Sequence, residues 1–100
     1  MYNSQDEKFN DSNFLSEVEQ AADLFHLLGD LSRLRIYLLI AEHDRSVTDI
    51  VELTHLTQSN VSHHLKLLRA KGLVSSKRIG KSIIYMANKS ILSDKTKSIL

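Results

Sequence analysis

Apolar residues recur at helical spacing along most of this chain, and polar punctuation cuts the pattern into short segments. Phe14, Val18, Ala21, Phe25 and Leu28 follow a 4-3-4-3 spacing with Leu15, Ala22 and Leu24 nearby, which predicts a first helix with a wide apolar seam. Ser16 with Glu19 offers a capping box for its start, although the apolar pattern already begins at Phe14. Gly29 ends that helix, and Asp30 or Ser32 caps the next. There Leu34, Ile36, Tyr37, Leu38, Leu39, Ile40 and Ala41 are apolar nearly all round, the mark of a central buried helix, while Arg33 and Arg35 near its start read as solvated or paired with Asp30. Ser46 with Asp49 opens a third helix, Val47 to Thr54, with Ile50, Val51 and Leu53 expected to face inward. Leu56 and Thr57 then form a short turn.

The fourth segment, residues 58–71, carries the chemistry. Thr57 is a good N-cap, and Gly72 suits the positive φ that follows a helix. Val61, His64, Leu65 and Leu68 make an inward stripe. The outward stripe holds Ser59, Ser62, His63 and Lys66, with Gln58 and Asn60 in the first turn, and no acid. These donors and acceptors suit base edges, and first-turn amides suit phosphate. A merely polar surface helix is the plainer alternative. Residues 74–86 follow as a hairpin with β-branched arms, Gly80 at the tip, and Lys77, Arg78 and Lys81 crowding that tip. Two helices joined by a short turn, then a basic hairpin, predict a winged helix-turn-helix. It is mainly α with a small β-hairpin wing, in the order α-α-α-α-β-β-α. Ile91, Leu92, Lys95, Ile99 and Leu100 add a weak helical period, expected as a last helix beside the first. Residues 1–13 are polar and aperiodic, which predicts a flexible N-terminal arm and leaves 14–100 as one domain.

The net charge of +1 conceals a division that strengthens the nucleic-acid reading. Residues 1–60 hold four Lys and Arg against eleven acids; residues 61–100 hold nine against Asp94 alone. A basic half suggests a bound polyanion, and double-stranded DNA suits it better than a membrane, because the cations sit on a hairpin rather than an amphipathic helix. A DNA reader of this size needs two half-sites, so the first helix's seam, which could cover its own core, is read as contact with a second copy. No apolar run approaches the roughly 20 residues of a membrane span, and the polar start lacks a signal-peptide core, which predicts a cytoplasmic protein.

The absence of Cys excludes disulfides, thiolate metal sites and cysteine redox sensing. Without a Cys nucleophile, a glycine-rich phosphate loop, or a carboxylate pair beside a histidine in the basic half, no catalytic residue is assigned and no enzyme is expected. Tetrahedral zinc needs about four converging ligands. His26, His43 and His55 fall on different predicted helices or their ends, and His63 and His64 stand about 100° apart around one helix. No metal cofactor is therefore read, although Asp23 and His26 meeting a second subunit stays open as an unconventional site. A winged-helix module for protein–protein interaction is the rival function.

Four linked motifs add a resemblance: Leu28-Gly29-Asp30-Leu31-Ser32-Arg33-Leu34-Arg35-Ile36, Ser59-Asn60-Val61-Ser62-His63-His64-Leu65-Lys66-Leu67-Leu68, Gly72-Leu73-Val74 and Gly80-Lys81-Ser82-Ile83-Ile84-Tyr85. In their order and spacing over residues 14–90 the chain resembles the ArsR/SmtB family of bacterial winged-helix repressors, many of them metal sensors. The resemblance implies a homodimer built on the first and last helices, and Phe14, Val18, Ala21, Phe25, Ile91 and Ile99 are the expected interface residues. It implies an inverted-repeat operator and release by an effector that the chain leaves unnamed. Gln58, Ser59, Ser62 and His63 fall where the family reads the major groove, and His64 falls on its inward histidine. Asn60, Lys66, Lys77, Arg78 and Lys81 complete the expected DNA contacts. The chain departs from the family's sensors in its ligands. Ser46 and Thr48 occupy the place of the thiolates, and Asp94 is the only ligand type in the last segment.

Overall fold

A computed structural model of the chain describes Glu7, Phe9 and residues 11–100. Among them are five helices and three short strands: α1 (Ser12–Leu28), α2 (Leu31–Glu42), β1 (Arg45–Ser46), α3 (Val47–Thr54), α4 (Gln58–Ala70), β2 (Val74–Ile79), β3 (Ser82–Ala87) and α5 (Ser90–Thr96). The antiparallel sheet has the order β1-β3-β2, and β2 and β3 are the expected hairpin. The mainly α winged helix-turn-helix predicted from the pattern is thus present. β1 is an addition, too short for any periodicity to show.

Most helix ends are the polar residues that the sequence marks. Asp30 caps α2 by accepting from the Arg33 amide at 2.9 Å. Ser46 and Asp49 form the full reciprocal box on α3, at 3.1 and 3.2 Å. Thr57 caps α4 through the Asn60 amide at 3.1 Å. Gly72 (φ 76°) turns the chain out of α4, and the Leu73 amide closes back on the Leu68 carbonyl at 3.0 Å. Gly80 (φ 61°) makes the wing tip.

The start of α1 differs. It begins four residues before Ser16, where the Asp11 carboxylate accepts from the Asn13 amide at 2.8 Å and the Phe14 amide at 3.4 Å. A carboxylate answers the unpaired amides of a first turn more strongly than a hydroxyl, and Ser16 instead receives the Gln20 side-chain amide at 3.5 Å. The expected arm, residues 1–13, lies for the most part outside the described residues; its last two positions, Ser12 and Asn13, belong to α1.

The core joins α1, α2, α3, α4 and the root of the hairpin. Ile36, Ile50, Val61, Leu65, Leu68 and Leu73 lose all solvent exposure there, beside Leu24, Leu27, Tyr37, Ile40 and Val74. Burying such side chains contributes about 1.5–3 kcal/mol each relative to exposure, so this small cluster holds the domain. α5 lies along α1, tied by the Lys95 ammonium donating to Gln20 at 2.9 Å.

Two burial expectations are corrected. α2 is not enclosed: Ile36, Tyr37 and Ile40 point inward, but Leu31, Leu34 and Leu38 remain exposed. A domain of this size has too few elements to surround a central helix on every side. On α3, Leu53 is exposed and Thr54 is buried in its place. Its hydroxyl donates to the Ile50 carbonyl at 2.7 Å and accepts from the Leu56 amide at 3.2 Å, so a polar group enters the core without loss.

Candidate nucleic-acid interface

α4 keeps its two stripes apart. At about 100° per residue, Ser59, Ser62, His63 and Lys66 fall within an arc of about 100°, opposite Val61, Leu65 and Leu68. All four are exposed, as are Gln58 and Asn60, whereas Val61, Leu65 and Leu68 are fully buried. The buried stripe therefore anchors α4 and sets its rotation. No acidic side chain lies anywhere on α4, so nothing on it repels a phosphate.

The His55 backbone, left-handed at φ 61°, makes the turn between α3 and α4. His is among the residues that tolerate this region better than most. The turn projects the N-terminus of α4 outward, with Thr57 as its cap.

The wing is brought beside α4 by a contact that the sequence does not reveal. β1 pairs with β3 through Arg45 opposite Tyr85 and Ser46 opposite Ile84, which sets the hairpin against the start of α3. Ser46, Thr48, Gln58, Lys81 and Ser82 consequently line one cleft of about 230 Å³, into which the first turns of α3 and α4 open. Thr48 and Ser82 were not among the expected DNA contacts. Their only signal was adjacency to a cap and to Lys81, and it becomes informative once β1 pairs with β3.

Strand alternation also separates the expected wing cations. Arg78 stands opposite Ile83 and shares the face of Val74 and Tyr85, whereas Lys77 stands opposite Ile84 and projects from the other face. Arg78 thus lies on the core-facing side of the hairpin and Lys77 on the other, while Lys81, in the turn, belongs to neither strand face and lines the cleft. All three are exposed.

His64, one position beyond His63, turns inward. Its Nδ1 is buried without a hydrogen-bond partner, as is the neighbouring Arg33 Nε. Burial holds the imidazole below its ordinary pKa, with the Arg33 and His63 charges acting in the same direction and Asp30 opposing. The folded chain then binds a proton less readily than the unfolded chain. Stability contributed by neutral His64 is complete above about pH 6.5 and is lost as pH falls toward the lower folded pKa. Urea midpoints measured from pH 7.5 to 5 are expected to fall in wild type and to fall less steeply in His64→Gln. Parallel profiles would remove His64 as the cause.

The remaining histidines are dispersed. His26, His43 and His55 are all exposed, His43 beside Glu42 at 3.8 Å. Among the described residues, no three His, Asp or Glu side chains are grouped as metal ligands. Nor is any described helix long and apolar enough to cross a membrane.

The fold and this face define a winged helix-turn-helix protein. Residues 30–76, from the α2 cap into the wing, match the model of the bacterial regulatory protein, arsR family. A transcriptional repressor SmtB homolog from Synechocystis sp. is 35% identical over 71 residues, covering 71% of this chain and 54% of that protein. The transcriptional repressor SdpR of Bacillus subtilis is 31% identical over 72 residues, 72% of this chain and 80% of that one. The solution NMR structure of a homodimeric winged helix-turn-helix DNA-binding domain from Mycobacterium bovis, a possible ArsR-family regulator, superposes with a TM-score of 0.73 at 24% identity, covering 88% of this chain and 82% of that one. The chain belongs to the ArsR family of bacterial regulatory proteins. It spans about half the length of the SmtB-type relatives it matches. The relatives are named as repressors, and the family is one of regulators rather than enzymes.

Proposed function

We propose that the chain is a dimeric, sequence-specific DNA-binding transcriptional repressor acting on an inverted-repeat operator. The observation that carries this reading is the exposed, acid-free stripe of α4 beside the Lys81 cleft. Gln58, Ser59, Ser62 and His63 read base edges in the major groove. Asn60 and Lys66 supplement them or hold phosphates. Lys81 and Arg78 grip the backbone, with Ser46, Thr48 and Ser82 lining the cleft where a phosphate meets two helix N-termini. Lys77 contacts the backbone from the reverse of the wing. The reading assigns no resident metal.

The second copy docks on α1. Leu15, Val18, Ala22 and Phe25 form an exposed apolar stripe there, with Phe25 about half exposed at 52%. Ile99 is half-buried beyond the end of α5. Phe14 and Ala21 are already buried in the single protomer and Ile91 packs on its core, so these three shape the interface from beneath. The homodimer described for the Mycobacterium bovis domain supports pairing of two copies. Half-sites about 34 Å apart are then expected.

The test compares a duplex selected from a randomised pool with a random duplex. Ser59→Ala or His63→Ala is expected to cost roughly 1–3 kcal/mol on the selected duplex and little on the random one, narrowing the preference. Equal losses on both duplexes would remove the base-reading role. Absence of binding to either duplex at low salt would favour a module that binds protein partners instead.

A further inference from the structure

The outer face of α2 is apolar and plays no part in the functions above. Leu31, Leu34 and Leu38 recur along it at 74%, 36% and 56% exposure, and Leu53 of α3 stands beside them at 48%. Single exposed leucines are ordinary, but four on one side of a small domain mark an interaction surface. Arg35, Leu38, Leu39, Glu42 and Leu53 line an open groove of about 260 Å³ within this face. The face lies across α2 from the Ile36–Ile40 side that enters the core with α4, so covering it leaves the polar stripe of α4 free.

The charges say what covers it. Arg35 and Glu42 stand at opposite ends of the groove, seven residues or about 10.5 Å apart along one side of α2. Among the described residues Arg35 has no acidic partner. Glu42 accepts from Arg45 at 2.9 Å, yet its side chain remains 66% exposed, with carboxylate lone pairs to spare. Midway between them lie Leu38 and Leu39. A helix with a cation at one end, an anion at the other and leucines at the midpoint is complementary to itself when its copy runs antiparallel. A twofold axis near Leu38 brings each Arg35 to the other copy's Glu42 and buries both sets of leucines. A peptide or small amphiphile would match one end of the groove; a second copy matches both ends at once.

We propose that the outer face of α2 is a self-association surface, distinct from the α1 stripe, on which a second copy of this chain docks antiparallel through Leu38 with reciprocal Arg35–Glu42 pairs. With two isologous faces per chain, dimers paired on α1 join into larger particles that hold two duplexes or two operators together. The α1 pairing affects only the absolute size: without it the α2 contact closes at two chains, and with it each dimer offers two α2 faces, so particles of four chains or more form.

Sedimentation equilibrium tests the surface with complementary charge reversals. Arg35→Glu alone sets two acids against each other, and Glu42→Arg alone sets two cations, so each variant is expected to show at most half the mass of wild type at the same concentration. Mixing the two variants restores both pairs, and the mass is expected to return to the wild-type value. A folding defect in either variant would not be repaired by mixing. Leu38→Ser is expected to lower the mass at least twofold without altering affinity for a single short duplex. Wild type and Leu38→Ser of equal mass throughout the concentration range, or a mixture no heavier than its components, would overturn the proposal. So would a small molecule or a different protein filling the groove while the mass stays insensitive to these substitutions.

Discussion

An Arg78→Ala/Lys81→Ala double variant is expected to lose affinity for every duplex alike and to flatten the dependence of log affinity on log salt. Each phosphate contact to B-DNA contributes a slope of about 0.9, so removing two should reduce it by about 1.8 per protomer. The two residues are paired because strand register places Arg78 on the core-facing side of the hairpin and the β1–β3 pairing brings Lys81 to Gln58. Lys77, on the opposite face, supplies the internal control. Its alanine variant should reduce the slope by no more than one contact's worth. If Lys77→Ala flattens the salt dependence as much as the double variant does, the hairpin meets the duplex with its other face. The sequence-blind character of this loss separates it from Ser59→Ala and His63→Ala, which act on base edges.

Leu65→Ala is expected to lower folding stability by about 2–5 kcal/mol, out of a total of about 5–15 kcal/mol for a domain of this kind. Leu65 is fully buried and lies in the middle of the α4 stripe that shares the core with Ile36, Ile40 and Ile50. Truncation removes its transfer free energy and leaves a cavity that rigid neighbours on several elements do not close. At about 4–8 °C per kcal/mol, the melting temperature should fall by roughly ten degrees or more. The same substitution at Leu38, 56% exposed on the protomer, leaves no such cavity and should change the unfolding of an isolated protomer little. A melting temperature that moves no further for Leu65→Ala than for Leu38→Ala would show that α4 is not held by its inward stripe. Duplex affinity should fall in parallel with stability, because that stripe sets the rotation at which Ser59 and His63 are presented.

The helix ends most legible in the sequence are those where a side chain bonds to the backbone two or three residues away. The Ser46–Asp49 box and the Thr57 cap are such cases, and the glycines at 72 and 80 were legible for another local reason, the positive φ that a residue without a side chain adopts at a helix exit and a wing tip. The exposed face of α4 was legible for a related reason. A helix with one apolar stripe must turn its other side to solvent, so Ser59, Ser62 and His63 were bound to be accessible. Asp11 shows the limit of this logic: the pattern pointed to Ser16 as the cap, and the chain instead starts the helix five residues earlier on the Asp11 carboxylate.

The misread positions share a cause. Leu53, Leu34 and Leu38 are apolar at helical spacing, and spacing states which residues lie together on a helix, not whether another element arrives to cover them. That depends on how many neighbours a small domain can supply. The cleft of Ser46, Thr48, Gln58, Lys81 and Ser82 was equally beyond local pattern, since its members come from three separate segments joined by the two-residue strand β1. The opposite facing of Lys77 and Arg78 needed the hairpin register and the identity of its core face. Chain-local chemistry thus specified the elements, their ends and the groove-facing helix, because those depend on contacts within a turn or two. Which apolar stripes stay uncovered, and which cations share a side with α4, depends on contacts between residues far apart in the chain, where one pattern of side chains is compatible with several packings.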